Sequence, residues 1–249
     1  MDKMTNKVTV VVIMLGLLLS KAGHADYPQL DSSRVATGEF EYRTILQVGD
    51  TRLDIDSVRD IRVGNAASSQ TLQINTITET DMGTTEDRLK LDFETLMPIE
   101  RVVRQGEGEM KIDYHREQVT GHIQAAGHTV TVDLALDVPA YAGESGLEAV
   151  LTAMPLASGL EFEMRILEID VETRVRLFQV SVGEQETIEV PAGRFSVWPI
   201  HLSATDEFDD EQTIWISDAS PRVFVQAAAP IPADLGDGSL TTFLVSTSE

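Results

Sequence analysis

The sequence predicts a mainly β protein: antiparallel strands forming a sheet, with one short helix laid against it. Three observations carry this. Apolar and polar residues alternate along most of the chain, the period of a strand with one buried face. Turn-forming residues interrupt the alternation at the short intervals hairpins require. One segment alone switches to the helical period.

The first twenty-five residues stand apart from this pattern. Lys3 and Lys7 precede an apolar run from Val8 to Leu19, followed by Gly23-His24-Ala25. A basic start, a short apolar stretch and small residues before a cleavage point are the marks of an export signal. The run is well short of the roughly twenty residues that span a bilayer. Residues 1–25 are therefore expected to be a cleavable signal peptide, making the protein periplasmic or otherwise exported. Cleavage after Ala25 leaves 224 of the 249 residues. No later apolar run is long enough to span, so no membrane span is expected after cleavage.

The clearest alternations are Phe40, Tyr42, Leu46 and Val48; Leu89, Leu91 and Phe93; Val130, Val132, Leu134 and Leu136; and Leu160, Phe162, Met164 and Ile166. Such strands suit antiparallel pairing with one face on a core and one in water. Gly49-Asp50, Asp81-Met82-Gly83, Gly106-Glu107-Gly108, Ala126-Gly127 and Ala192-Gly193 supply the turns. About a dozen strands result. Between them, Leu147, Val150, Leu151 and Met154 recur at helical spacing and Pro155 ends the run. Ser145 and Glu148 fit a capping box at its start. The apolar stripe of this helix is expected to cover the concave face of the sheet. Ala227 to Gly238, with two prolines and two glycines, reads as a long loop. No repeat or linker divides the chain, so one β domain is expected from about residue 33 to 249.

Composition narrows the function. The leader carries Lys3, Lys7, Lys21 and Asp2, so its removal takes the formal charge from −22 to −24. A surface this acidic excludes nucleic acid, whose phosphates need clustered Lys and Arg. There is no cysteine, hence no disulfide, thiolate metal site or cysteine nucleophile.

No motif marks a reaction, and no catalytic residue, metal site or cofactor is assigned. Gly143-Glu144-Ser145-Gly146 lacks the second glycine of a G-x-S-x-G nucleophile elbow, where Leu147 stands instead. His115, His122, His128 and His201 form no close ligand pair, although Asp113 and His115 share a strand parity. Asp206, Glu207, Asp209, Asp210 and Glu211 lack the glycine of a calcium loop and read as a solvated hairpin end. Paired carboxylates could serve glycoside cleavage, but acids are so abundant that no pair is singled out.

Glu189-Val190-Pro191-Ala192-Gly193-Arg194-Phe195, Thr213-Ile214-Trp215-Ile216-Ser217 and Pro221-Arg222-Val223 resemble the exported bacterial family called domain of unknown function 3108. Leu96-Met97-Pro98-Ile99 and Val119-Thr120-Gly121 resemble its first half. The resemblance implies a single strongly curved antiparallel sheet, a half-barrel or open barrel like those of periplasmic lipoprotein and lipid carriers. It implies no catalytic residues.

Export, one-faced strands and a lone apolar helix together point to a noncatalytic envelope protein that binds an apolar or amphipathic, lipid-like ligand in the curved sheet. The expected lining residues are Leu147, Leu151, Met154, Phe162, Met164, Trp198 and Trp215. The alternatives are a structural or interaction module that meets another envelope protein, or a carboxylate-dependent hydrolase.

Overall fold

The computed structural model describes residues 28–66, 69–81, 83–169, 173–206, 210–231 and 236–248. The expected signal peptide lies outside the described residues. After a 3-10 turn at Ser32–Arg34 come β1 (Gly38–Val48), β2 (Thr51–Ala66), β3 (Ser69–Thr80), β4 (Gly83–Asp92), β5 (Pro98–Gln105), β6 (Gly108–Tyr114), β7 (Gln118–Ala125), β8 (His128–Ala135) and β9 (Tyr141–Ala142). The one α-helix among the described residues, α1 (Ser145–Ala153), follows. The second half holds β10 (Glu161–Glu168), β11 (Arg174–Val182), β12 (Glu186–Val190), β13 (Gly193–Ala204), β14 (Glu211–Ser217), β15 (Phe224–Ile231) and β16 (Gly238–Ser248).

The sixteen strands form one sheet in the order 8-7-6-5-4-3-2-1-16-15-14-13-11-10-9, with β12 on the flank of β13. All neighbours pair antiparallel except β9, which runs parallel to β10. The sheet is strongly curved and does not close. β1 and β16 join the two halves, so the first and last strands meet at its centre.

Register explains the curvature's apolar lining. Ile74 opposes Leu89 and Leu72 opposes Leu91 on one wing, while Met164 opposes Phe178 and Ile200 opposes Ile214 on the other. All eight are buried. They face α1, whose Leu147, Val150, Leu151 and Met154 are buried against them. At nine residues α1 is too short to persist alone, and burial of its leucines at roughly 1.5–3 kcal/mol each holds it in place. A second, smaller core of Ile112, Val119, Val132, Leu136 and Leu167 lies under β6 to β8.

Three expectations are corrected. The strands number sixteen among the described residues, because β2 and β3 are long but polar (TRLDIDSVRD and QTLQINTITET) and give weak alternation. Ala227 to Gly238 is no long loop: Ala227–Ile231 complete β15 and pair with β16 from Gly238 onward, and only residues 232–235 fall outside the described part. Pro230 fits because it lies beyond the last residue paired to β14, Ala228, where a strand tolerates proline. The capping box does not form either. Ser145 is the first helical residue, and Glu144 is the cap with no side-chain bond to the helix.

Candidate functional site

The chain enters α1 through an abrupt corner. β9 is held parallel to β10 by the pairs Tyr141 with Ile166 and Ala142 with Leu167. Two residues later Glu144 has φ 52° and ψ −124°, a strained conformation for a residue with a Cβ. Ala142 and Gly146 flank the corner and press together. A Cβ on Gly146 would lie 2.8 Å from that of Ala142 and 3.1 Å from Leu89 Cδ2, so only glycine fits. The corner therefore drives the chain from strand into helix and leaves the Glu144 side chain 72% exposed.

Charged groups gather beneath this corner. Arg101 on β5 donates from Nε to Asp87 Oδ1 at 3.1 Å and from Nη2 to Asp87 Oδ2 at 2.7 Å, and also ion-pairs with Glu144. Arg59 on β2 ion-pairs with Glu148, one helical turn beyond Glu144. Its guanidinium stacks 4.8 Å from the Tyr42 ring and 5.7 Å from Phe224. Register places Arg59, Asp87 and Arg101 on the helix-facing side of their strands. Burial pushes the Glu148 carboxyl above the usual carboxylate range, partly offset by Arg59 and reinforced by Glu144. Glu148 is thus spent on the sheet and is unavailable for the capping expected of it.

Beside these charges opens a cleft of about 320 Å³. Leu147, Ile166, Phe178, Ile214 and Ala227 give it an apolar wall, while Arg101, Glu144, Glu148, Glu168 and Gln212 supply polar groups. At its far end Arg176, 3% exposed, is held by Asp206 (Nε to Oδ2 2.6 Å, Nη2 to Oδ1 2.8 Å), Asp210 and Glu168. Asp206 and Asp210 are thereby bound to a buried guanidinium rather than forming a merely solvated hairpin end; Glu207, Phe208 and Asp209 lie outside the described residues. The expected lining residues separate. Leu147 lines the cleft. Leu151, Met154 and Met164 are fully buried in the core, and Phe162 packs at its margin. The space between helix and sheet is a cavity of about 20 Å³, room for one water at most. Trp198 opposes Ile216 and Trp215 opposes Pro199, so the indoles stand on opposite faces of the sheet. They donate to Asp218 (2.8 Å) and Glu186 (2.6 Å) respectively.

Residues 37–245 match the model of a family described as DUF3108, protein of unknown function. The chain belongs to the DUF3108 family. Its match spans all sixteen strands apart from the last residues of β16. No curated protein matches this DUF3108 chain. A crystal structure from Bacteroides fragilis, of a candidate exported protein with a YmcC-like fold, is similar at 10% identity and a TM-score of 0.40. That similarity covers 86% of this chain and 97% of the other.

The sequence motif at this corner centres on Ser145, whereas the strained residue is Glu144. The signal was present in the spacing: small residues at 142 and 146 bracket position 144 symmetrically. The arginine anchors left no trace, because their carboxylate partners lie 8 to 89 residues away and on other elements. Among the described residues no three potential metal ligands converge.

Proposed function

We propose that this protein is an exported, noncatalytic binder of an amphipathic ligand, held in the cleft at the N-terminal end of α1. The observation that carries the reading is the cleft's division into an apolar wall and a charged rim. Buried binding sites typically combine apolar walls with a few placed polar groups. Its position differs from the expected one: the space under the helix is filled, and the open volume lies beside it. Export rests on the N-terminal leader with its basic start and short apolar run. The test is extraction and native mass spectrometry of the mature protein purified from its own host. A bound small-molecule mass is expected; protein that is uniformly empty and gives no response to hydrophobic fluorescent probes would refute the reading.

One observation favours a second reading, an interaction module. β8 ends the sheet with a free edge, and Val130 on it is 61% exposed. Asp133 is the only acid or base along it apart from His128. Free edges of this kind accept strands from partners. Crosslinking in envelope fractions from a photoreactive group at Val130 tests it, with capture of one discrete partner expected and a solitary protein contradicting it.

A further inference from the structure

We propose that a second pocket, bounded by the start of β5, the end of β6 and the segment between β8 and β9, binds a single-chain amphiphile with an anionic head group. This pocket also measures about 320 Å³ and is separate from the cleft at α1. Met97, Tyr114, Leu136 and Ala140 form its wall, and the only other ionisable groups lining it are His115 and Arg116. The wall belongs to the smaller core, in which Tyr114, Leu136 and Ala140 are each at most 9% exposed. Burial pushes the Tyr114 phenol up to about 12, so this group stays neutral and adds no negative charge.

The charge pattern selects the ligand. The cleft at α1 is lined by Glu144, Glu148 and Glu168 against Arg101, whereas no carboxylate lines this pocket. The buried or half-buried guanidiniums Arg59, Arg101, Arg176 and Arg222 are each tied to a group of the protein: Arg59 to Glu148, Arg101 to Asp87, Arg176 to Asp206, and Arg222 to the Met154 carbonyl. Arg116 has no such partner among the described residues. A guanidinium left free at the mouth of an apolar pocket, in a chain of forty-one acids, is suited to a carboxylate or phosphate head. The apolar wall then takes the chain. The carboxylates that act on Tyr114, Asp87 and Glu144, are both paired with Arg101, and at physiological salt charges beyond about 8 Å are screened.

The test uses the full mature protein with 13C-methyl-labelled methionine at 0.15 M NaCl. Met97 reports on the pocket, while Met154 and Met164, fully buried elsewhere, serve as references. Titration with decanoate or decyl phosphate is expected to shift Met97 and leave the references still; the tighter of the two identifies the head group. Arg116→Gln is expected to weaken binding about tenfold, the size of one charge-assisted hydrogen bond, with the fold unchanged because Arg116 is exposed. Ala140→Leu should reduce binding by filling the pocket. Equal binding of decyltrimethylammonium, an unmoved Met97, or undiminished affinity in Arg116→Gln would overturn the proposal. Ala227→Trp, which fills the cleft at α1, should not affect the Met97 shift, so the two sites fail or stand separately.

Discussion

Arg59 on β2 and Glu148 on α1 form an ion pair across the concave face, with side chains only 12% and 15% exposed. The pair pins a nine-residue helix to the sheet, together with the apolar contacts of its stripe and the Arg101–Glu144 pair at its cap. Breaking a buried pair strands the remaining charge, at about 3–5 kcal/mol, whereas replacing both partners with apolar groups is often neutral. Arg59→Met alone should therefore lower stability by about 3–5 kcal/mol in urea unfolding. The double variant Arg59→Met/Glu148→Leu should recover most of that loss. Additive losses in the double variant would show that the pair does not act as a unit.

The same pair sets a pH dependence. Burial raises the folded-state pKa of Glu148 above its unfolded value, so its contribution to stability is fully present below the unfolded pKa of about 4.3. It is lost as pH rises through the folded pKa. The stability difference between the wild type and Glu148→Gln should accordingly move against the wild type as pH increases from about 4 toward neutrality. Chemical unfolding at a series of pH values measures this, and a difference that moves in favour of the wild type contradicts it.

Glu144 holds a strained backbone conformation at the corner between β9 and α1. A residue held in such a conformation costs about 1–3 kcal/mol, and its ion pair to Arg101 is 72% exposed on the glutamate side and so contributes little. Glu144→Gly should raise stability by about 1 kcal/mol, or roughly 2–4 °C in Tm, while weakening ligand retention in the cleft. Gly146→Ala should do the opposite to stability, losing about 1–3 kcal/mol by overpacking against Ala142 and Leu89.

At the other end of α1, Arg222 Nη1 donates to the Met154 carbonyl at 2.6 Å. Arg222 is buried and caps a helix terminus that has no intrahelical partners left. Arg222→Leu should cost about 1–3 kcal/mol and increase amide exchange in the last turn of α1 before any change reaches β3 or β4.

Local pattern and long-range pairing account for what the sequence did and did not disclose. The five turns at Gly49, Gly83, Gly106, Gly127 and Gly193 all join paired strands, because a hairpin is specified by residues adjacent in the chain. The helix was legible from Leu147, Val150, Leu151 and Met154 for the same reason. Its start was misread because Glu148 has two possible partners, the Ser145 amide nearby and Arg59 eighty-nine residues away, and the distant guanidinium wins. The end of β15 departs from the expectation because proline signals a loop unless pairing on its N–H side has already ended, as pairing to β14 has at Ala228. Of the expected lining residues, periodicity identified those facing the helix but could not separate a filled interior from an open one; that distinction depends on how Ile166, Phe178, Ile214 and Ala227 converge from four strands.

Under the proposed function the cleft beside α1 is occupied in the cell, which native mass spectrometry of the wild type and Ala227→Trp, each purified from the host envelope, tests directly. A bound mass on the wild type that is absent from a folded Ala227→Trp protein is the result expected. An empty wild type, or a ligand carried equally by both, contradicts the claim.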